Sequence, residues 1–290
     1  TFSMLPNRNK PLGLVPSHTQ QSVSSRSAEN LYWLGRYTER AESLTRLAKE
    51  TLVIANISGK DNLISLQDVV TELTIQAGLI PSETPTFAKS PKIFARTLVT
   101  NLLAKDANSI GFYLQALDLN LRMVRDRLPS DHARLASAMK SSLESQLGEK
   151  QPIERRSLMV AIEALDNLGL QLAALTGLQS DRMTRDLGWR MLMIGRLIER
   201  LIHLSEVIST FFTYEESLSN RGFDMLLNLF DSTITYRGRY QSYQDINALM
   251  ELLVLDDSNP RSLSWILHEL EIELKYLPSL GKEFSTLNQR

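Results

Sequence analysis

Apolar residues recur along most of this chain every three or four positions, which is the spacing of an amphipathic α-helix. No stretch alternates polar and apolar residues with a period of two, and no Asn-Gly hairpin signal is present. The fold is therefore predicted to be all-α, a single multi-helix antiparallel bundle, because long helices with short connections form such bundles. The predicted helices cover residues 27–57, 61–76, 91–104, 108–127, 131–146, 153–175, 182–212, 217–240, 243–255 and 261–276.

The first 25 residues differ from the rest of the sequence. They contain no Asp or Glu, and prolines, serines and glutamines are frequent. Such a segment has little apolar surface to bury, so residues 1–25 are predicted to be a flexible linker or tail. Residues 26–290 are predicted to form one helical domain, with the proline-rich connection near Pro85 as the rival place for a boundary. The first residue is Thr1, so we expect a processed chain or an excerpt of a longer one.

The first long helix carries charged residues beside its apolar face. On a helical wheel of about 100° per residue, one face collects Trp33, Tyr37, Ala41, Leu44, Leu47 and Ala48. Arg36 and Arg40 lie at the edge of that face, and Glu39 lies on the adjoining flank. Glu42 and Arg46 fall on the opposite face, which we expect to be solvated.

The seventh helix repeats the signature of the first. Both Leu34–Arg40 and Ile194–Arg200 read aliphatic-Gly-Arg-x-x-Glu-Arg, which we interpret as an internal repeat. A mid-helix glycine costs about 1 kcal/mol, and the close approach of another backbone explains it. If the two helices touch at their glycines, crossed pairs of Glu39 with Arg200 and of Glu199 with Arg40 become possible. The motif also contains Arg36 and Arg196.

This predicted polar centre has two functional interpretations, besides a chance resemblance between two helical stretches. The first is a set of structural ion pairs that fix the helix register. The second is a pocket that binds an anionic or peptide-like ligand through its arginines.

Two further polar segments are candidates for the same centre. The first contains Asp231, Tyr236, Arg237, Arg239 and Tyr240, and interleaved Arg and Tyr can bind a phosphate or a nucleotide base. The alternative without a ligand is a solvated helix end, with arginines near its C-terminus.

The second segment, Leu255–Leu263, contains Asn259 and Arg261. It is either an acidic magnesium motif, as in helical isoprenoid synthases, or a capped loop in which Pro260 opens the next helix. No convincing second acidic motif accompanies it.

Composition excludes several classes of protein. A net charge of −1 argues against nucleic-acid binding, and the lack of cysteine removes thiol catalysis and cysteine-ligated metals. No histidine follows a glutamate by three residues, and no nucleophile elbow or phosphate-binding glycine loop is present, so we predict no metal and no cofactor. No apolar run approaches the length of a membrane span. We expect a cytoplasmic protein that does not bind membranes.

The segment from Ser25 to Glu42 resembles the opening signature of the alpha-E domain family, which is all-helical and named for its Glu-Arg motif. The resemblance continues through Met183–Trp189, Gly195–Arg200, Asp231–Tyr240 and Leu255–Leu263, so it spans almost all of residues 26–290. One departure is Ala116–Asn120, where relatives tend to carry an Arg-Glu pair, so a third ion-pairing position is not expected here.

The resemblance implies a context rather than a reaction. Alpha-E domains tend to be fused to, or encoded beside, circularly permuted ATP-grasp proteins, often with transglutaminase-like proteins nearby. We therefore expect a non-catalytic accessory module that docks an ATP-grasp amide ligase or presents a peptide substrate to it. The alternative is an enzyme of amide-bond metabolism whose pocket is built from the two Glu-Arg motifs, with Asp231 and Tyr236 as further members.

Overall fold

A computed structural model describes residues 23–57, 64–105, 108–148, 158–214, 220–241 and 244–278. These residues form helices and connections without any β-strand, which confirms the all-α prediction. A π-helical turn, Glu251–Leu255, follows directly on the helix that ends at Met250. The helices are α1 (Ser25–Asn56), α2 (Ile64–Gln76), α3 (Pro91–Asn101), α4 (Ile110–Met123), α5 (Ser130–Leu147), α6 (Leu158–Arg182), α7 (Leu187–Thr213), α8 (Asn220–Leu229), α9 (Thr233–Tyr240), α10 (Ile246–Met250) and α11 (Leu263–Lys275).

Most predicted helices are present with shifted ends, and one prediction is wrong. The predicted helix over residues 217–240 is two helices, α8 and α9. Asp231 adopts a left-handed backbone conformation with a φ of 51°, and the Ser232 amide donates to the carbonyl of Leu227 at 2.9 Å. This turn ends α8 and begins α9. The predicted tail up to residue 22 lies outside the described residues, as do the predicted helix starts at 61–63 and 153–157.

Helix α1 lies at the centre of the molecule. It packs along α7 and against α4, α6, α8 and α3, so residues are buried on all of its sides. Three of them are threonines. The hydroxyls of two donate to backbone carbonyls one turn earlier, Thr38 to Leu34 and Thr45 to Ala41, so these two side chains are satisfied inside the apolar core. Thr51 Oγ1 is buried and has no hydrogen-bond partner among the described residues.

Contacts along α1 and α7 show that these two helices run in the same direction. Gly35 faces Leu192, whereas Glu39, one turn later in α1, contacts Arg200, two turns after Leu192 in α7. Residue numbers thus rise together along both helices. The predicted antiparallel arrangement is wrong for this central pair.

Helix α6 runs the opposite way to α1. Lys49 contacts Asp166 at 2.6 Å, while Asn56, further along α1, contacts Met159, further back in α6. Helices α6 and α7 both pack on α1 but run in opposite directions, so the chain reverses in the turn that joins them.

The two glycines of the repeated motif lie where α1 and α7 cross. A Cβ atom on Gly35 would overlap the carbonyl oxygen of Leu192, and one on Gly195 would overlap that of Tyr32. Each glycine thus admits the backbone of the other helix, as predicted from the sequence. No other residue fits these positions without moving the helices apart.

Among the described helices, α6 is the one long and apolar enough to cross a membrane. One side of it, including Leu165, Leu168 and Leu172, is buried, and the helix packs against α1 and α5. Such burial is typical of a core helix. The cytoplasmic location and the absence of membrane binding remain predictions.

Candidate functional site

Glu39 is the most buried charge of the centre, with 1% of its side chain exposed. Arg200 donates from Nε to Oε1 at 2.7 Å and from Nη2 to Oε2 at 2.9 Å, which is a bidentate pair. Arg196 approaches the same carboxylate from the other side, with Nη2 3.2 Å from Oε2. Burial alone would raise the pKa of Glu39, but the charges of Arg200 and Arg196 outweigh it and hold that pKa well below its usual range. Glu39 is therefore ionised at any physiological pH.

Glu199 forms the reciprocal set of ion pairs, with two arginines of α1. Its Oε2 accepts from Arg36 Nε at 2.5 Å, and its Oε1 accepts from Arg40 Nε. Tyrosines fix both guanidinium groups, since Arg36 donates to the Tyr32 hydroxyl at 3.1 Å and Arg40 to that of Tyr113 at 3.2 Å. The crossed pairs predicted from the repeated motif are confirmed, and each glutamate also binds a second arginine of the opposite helix.

Glu42 holds a third set, which sequence reasoning missed. Its Oε1 accepts from Arg46 Nη2 at 2.8 Å and from Arg261 Nη2 at 3.1 Å. The prediction that Glu42 and Arg46 face solvent is wrong: Glu42 is 4% exposed, because the loop before α11 covers this side of α1. Glu42 Oε2 is buried and has no hydrogen-bond partner among the described residues.

The three sets give the centre a surplus of positive charge. Each glutamate binds two arginines, and Arg261 links two sets because its Nη1 also lies 3.6 Å from Glu39. Beyond the three glutamates, the acid within 4 Å of these arginines in the described part of the chain is Asp231, 3.5 Å from Arg46. Asp231 has 73% of its side chain exposed, so it neutralises little of the charge.

His203 lies on α7 one turn beyond Glu199. Its ring packs against Phe230 with centroids 5.8 Å apart, and its Nε2 is buried without a described partner. Burial lowers the pKa of His203 to about 4, and the positive charges of Arg46, Arg40 and Arg261 act in the same direction. The imidazole is therefore neutral at pH 7.

Four of the predicted residues lie away from the centre. Tyr236 is buried against Phe223, and its hydroxyl is 3.3 Å from the carbonyl of Asp245. Arg239 pairs with Asp256, while Arg237 is exposed on the same helix. Tyr240, the fourth, packs beside Tyr236. Tyr236 and Arg239 hold α9 against the segments around α10, and none of the four contacts the glutamates of the centre in the described part of the chain.

Asn259 supports the centre without touching its carboxylates. Its Nδ2 donates to the carbonyl of Leu252 at 2.9 Å, and its Oδ1 accepts from the backbone amide of Arg261 at 3.1 Å. These bonds set the path of the loop that places Arg261 between Glu39 and Glu42. The loop interpretation of this segment is supported, since Asp256 is committed to Arg239 and Ser258. Pro260 does not open the next helix, because α11 begins at Leu263 with Ser262 as its cap. The described residues contain no group of three or more His, Asp or Glu side chains placed to hold a metal ion.

Comparison with known proteins places this architecture in a family. An uncharacterised protein of Mycobacterium bovis and one of Mycobacterium tuberculosis are each 28% identical over 266 residues, and a third, also from M. tuberculosis, is 27% identical. Each match covers 88% of this chain and 30% of the relative, so the chain spans less than a third of those proteins. No solved structure matches the chain. The model of the Alpha-E family, described as a predicted alpha-helical domain with a conserved ER motif, matches residues 23–290, and the chain belongs to that family.

Proposed function

We propose that this domain is a non-catalytic accessory module of an ATP-grasp amide ligase, and that it presents a peptide substrate by its carboxylate end. The observation that carries the proposal is the surplus of arginine over glutamate in the centre. Buried charge without a counter-ion is costly, so a surplus of guanidinium groups favours the binding of an anion.

The Glu42 set is where a ligand can reach that charge. Arg46 and Arg261 are 22% and 23% exposed, whereas Arg196 is 4% exposed. Arg40 is 34% exposed, but both oxygens of its partner Glu199 already accept from arginines. Both arginines bind one oxygen of Glu42, which leaves Oε2 as a buried acceptor beside them. A peptide end offers the matching groups, because its carboxylate accepts from guanidinium groups and its last N–H can donate to a carboxylate oxygen.

This ligand chemistry fits the context that family membership suggests. An ATP-dependent amide ligase acts on a carboxylate and an amine, and a module that holds the carboxylate end would orient the peptide for the partner. In the mycobacterial relatives the matching region is one part of a much longer chain. That arrangement supports a module that acts together with other domains. A transglutaminase-like protein is a further candidate partner in the same system.

The proposal is tested with a circularly permuted ATP-grasp protein that occurs with an alpha-E domain. Association is measured by analytical ultracentrifugation, and ligase activity by ADP release with a peptide substrate. Adding the wild-type domain should increase the rate of ADP release. The Arg261→Gln domain should give an increase at least about tenfold smaller, because one charge-assisted contact is lost. Arg122→Gln is the matched control, since Arg122 is 64% exposed and pairs with Asp118 on its own helix.

Two results would contradict the proposal. One is the absence of both association and rate change when the domain is added. The other is an Arg261→Gln domain, shown to be folded by its thermal melt, that acts like the Arg122→Gln control. Association that survives Arg261→Gln without any effect of the peptide would indicate docking of the ligase alone.

The geometry gives less support to the alternative, an enzyme with its active pocket in the Glu-Arg motifs. Both oxygens of Glu39 are occupied by arginines, and its lowered pKa makes it a poor proton donor and a weak base. Tyr236, a suggested member of that pocket, packs elsewhere. A folded Glu39→Gln variant that abolishes turnover of a substrate by the isolated domain would favour the enzyme.

A further inference from the structure

A cleft of about 550 Å³ opens at one end of the bundle, away from the Glu-Arg centre. It lies where the α4–α5 connection and the α6–α7 connection meet the first turns of α1. Part of its wall is formed by Met183, Thr184 and Asp186. They belong to the segment Met183–Trp189, one of the motifs of the family resemblance that has no part in the Glu-Arg centre. The volume is within the range of small-molecule sites, about 300–1,000 Å³.

Two acids and two bases line this cleft. Arg127 donates from Nη1 to Asp186 Oδ2 at 3.1 Å. Arg182 donates to Asp131, and its side chain is 53% exposed. Asp126 is the second acidic residue of the lining. The lining is therefore electrically balanced, which disfavours phosphate or a simple cation and favours a ligand with both charges.

Apolar residues and Thr184 form the rest of the lining. Leu31 is fully buried, and Leu128 and Met183 are each 9% exposed. They can contact a hydrocarbon group whose charged end lies among the arginines and aspartates. Apolar surface with a few placed polar groups is the usual composition of a small-molecule site.

Polar groups without partners lie close to the lining residues along the chain. His132 Nε2, the Gln179 amide and Trp189 Nε1 are all buried, and none has a hydrogen-bond partner among the described residues. Each follows or precedes a lining residue by three positions, which is about one helical turn. The ring of His132 lies near the lining residue Pro129, because its Nδ1 is 3.2 Å from the carbonyl of Pro129.

We propose that this cleft binds a zwitterion of the amino-acid class, a free amino acid or short peptide with an apolar side chain. The carboxylate lies against Arg127 and Arg182, the ammonium group against Asp126 and Asp186, and the side chain against Leu31 and its apolar neighbours. The proposal does not depend on a ligase partner, because the cleft is separate from the Glu-Arg centre.

Isothermal titration calorimetry of the whole chain tests the proposal, with L-leucine and L-alanyl-L-leucine as probes. We expect saturable binding of at least one probe at concentrations up to about 20 mM. L-leucine amide lacks the carboxylate and N-acetyl-L-leucine lacks the ammonium group, so each should bind at least about tenfold more weakly than L-leucine. Arg182→Gln and Asp126→Asn should weaken binding by a similar factor.

Matched variants outside the cleft are Arg122→Gln and Asp166→Asn, which should bind as the wild type does. A thermal melt of each variant checks its fold. Lack of binding of both probes would overturn the proposal, as would equal binding by Arg182→Gln and Arg122→Gln. Binding of inorganic phosphate in competition with the probes would overturn the assignment of a zwitterion. None of these results affects the ligase assay, so failure of the two proposals can be told apart.

Discussion

Replacing Glu39 by glutamine removes the negative charge on which the α1–α7 crossing depends. The substitution keeps the size and shape of the side chain but leaves Arg196 and Arg200 without their counter-ion. Their side chains are 4% and 13% exposed, so water reaches them poorly. Breaking a buried pair by removing one partner costs about 3–5 kcal/mol. Glutamine retains one acceptor oxygen, so we expect a loss of about 3 kcal/mol in the free energy of unfolding.

The loss should depend on pH in a defined direction. Arginines hold the pKa of Glu39 below its usual range, so its contribution to stability is complete above the pKa of an unfolded glutamate, about 4. As the pH falls further, the unfolded chain takes up a proton that the folded protein does not bind, and the contribution is lost. The difference between wild type and Glu39→Gln should therefore be constant from pH 5 to 7 and shrink below about pH 4.

Urea denaturation followed by circular dichroism measures this effect. Glu144→Gln is the control, because Glu144 is partly exposed and lies 3.9 Å from Lys140 on its own helix, and it should change stability by less than about 0.5 kcal/mol. The double variant Glu39→Gln/Arg196→Gln should recover about 1 kcal/mol or more, since it removes one stranded charge. If Glu39→Gln destabilises no more than the control, the buried centre is not a coupled network.

Two further predictions concern the helix crossing and its pH response. Gly35→Ala should lower the free energy of unfolding, measured by thermal denaturation, by about 3 kcal/mol or more, because the added Cβ meets the Leu192 carbonyl. Gly177→Ala is the control: its Cβ would have no atom within 4 Å, so it should be neutral or stabilising by up to about 1 kcal/mol. Stability should fall as the pH drops from about 6.5 towards 4, because the unfolded chain protonates His203 and the folded protein does not. His203→Leu should flatten this slope in pH-dependent melts, and His268→Leu, at an exposed site, should not.

The crossing of α1 and α7 was predictable because its signals are local. Gly35 and Gly195 lie inside long helices, where glycine is destabilising and therefore indicates the close approach of another backbone. The angular position of Glu39 at the flank of an apolar face can be read from spacing alone. A repeated motif then suggests which two helices meet.

The role of Glu42 was not predictable from spacing. A helical wheel gives the direction of a side chain, not the segment that covers it. Its partner Arg261 is 219 residues away in the sequence and reaches Glu42 from a loop rather than from a helix face. Asn259 fixes that loop by hydrogen bonds that no periodicity reveals.

The break between α8 and α9 was missed for another reason. No glycine or proline marks it, and the left-handed position is occupied by Asp231. Aspartate adopts this conformation more readily than most residues, but the same residue is common on helix surfaces. The parallel direction of α1 and α7 was missed because helix and connection lengths predict the relative direction only of helices that follow each other directly. Five other helices separate α1 from α7 in the sequence.

The structural and ligand-binding interpretations of the Glu-Arg motifs apply to different parts of one network. Buried ion pairs seldom stabilise a fold more than apolar residues of the same size would, so their value lies in specificity. The Glu39 and Glu199 sets join α1 to α7 in one register, and all four of their carboxylate oxygens accept from arginines. The Glu42 set differs, because it keeps an unused carboxylate oxygen beside two partly exposed arginines. The two sets whose carboxylate oxygens are all taken therefore fix the position of the third, and a ligand is to be sought at Glu42 rather than at the repeated motif itself.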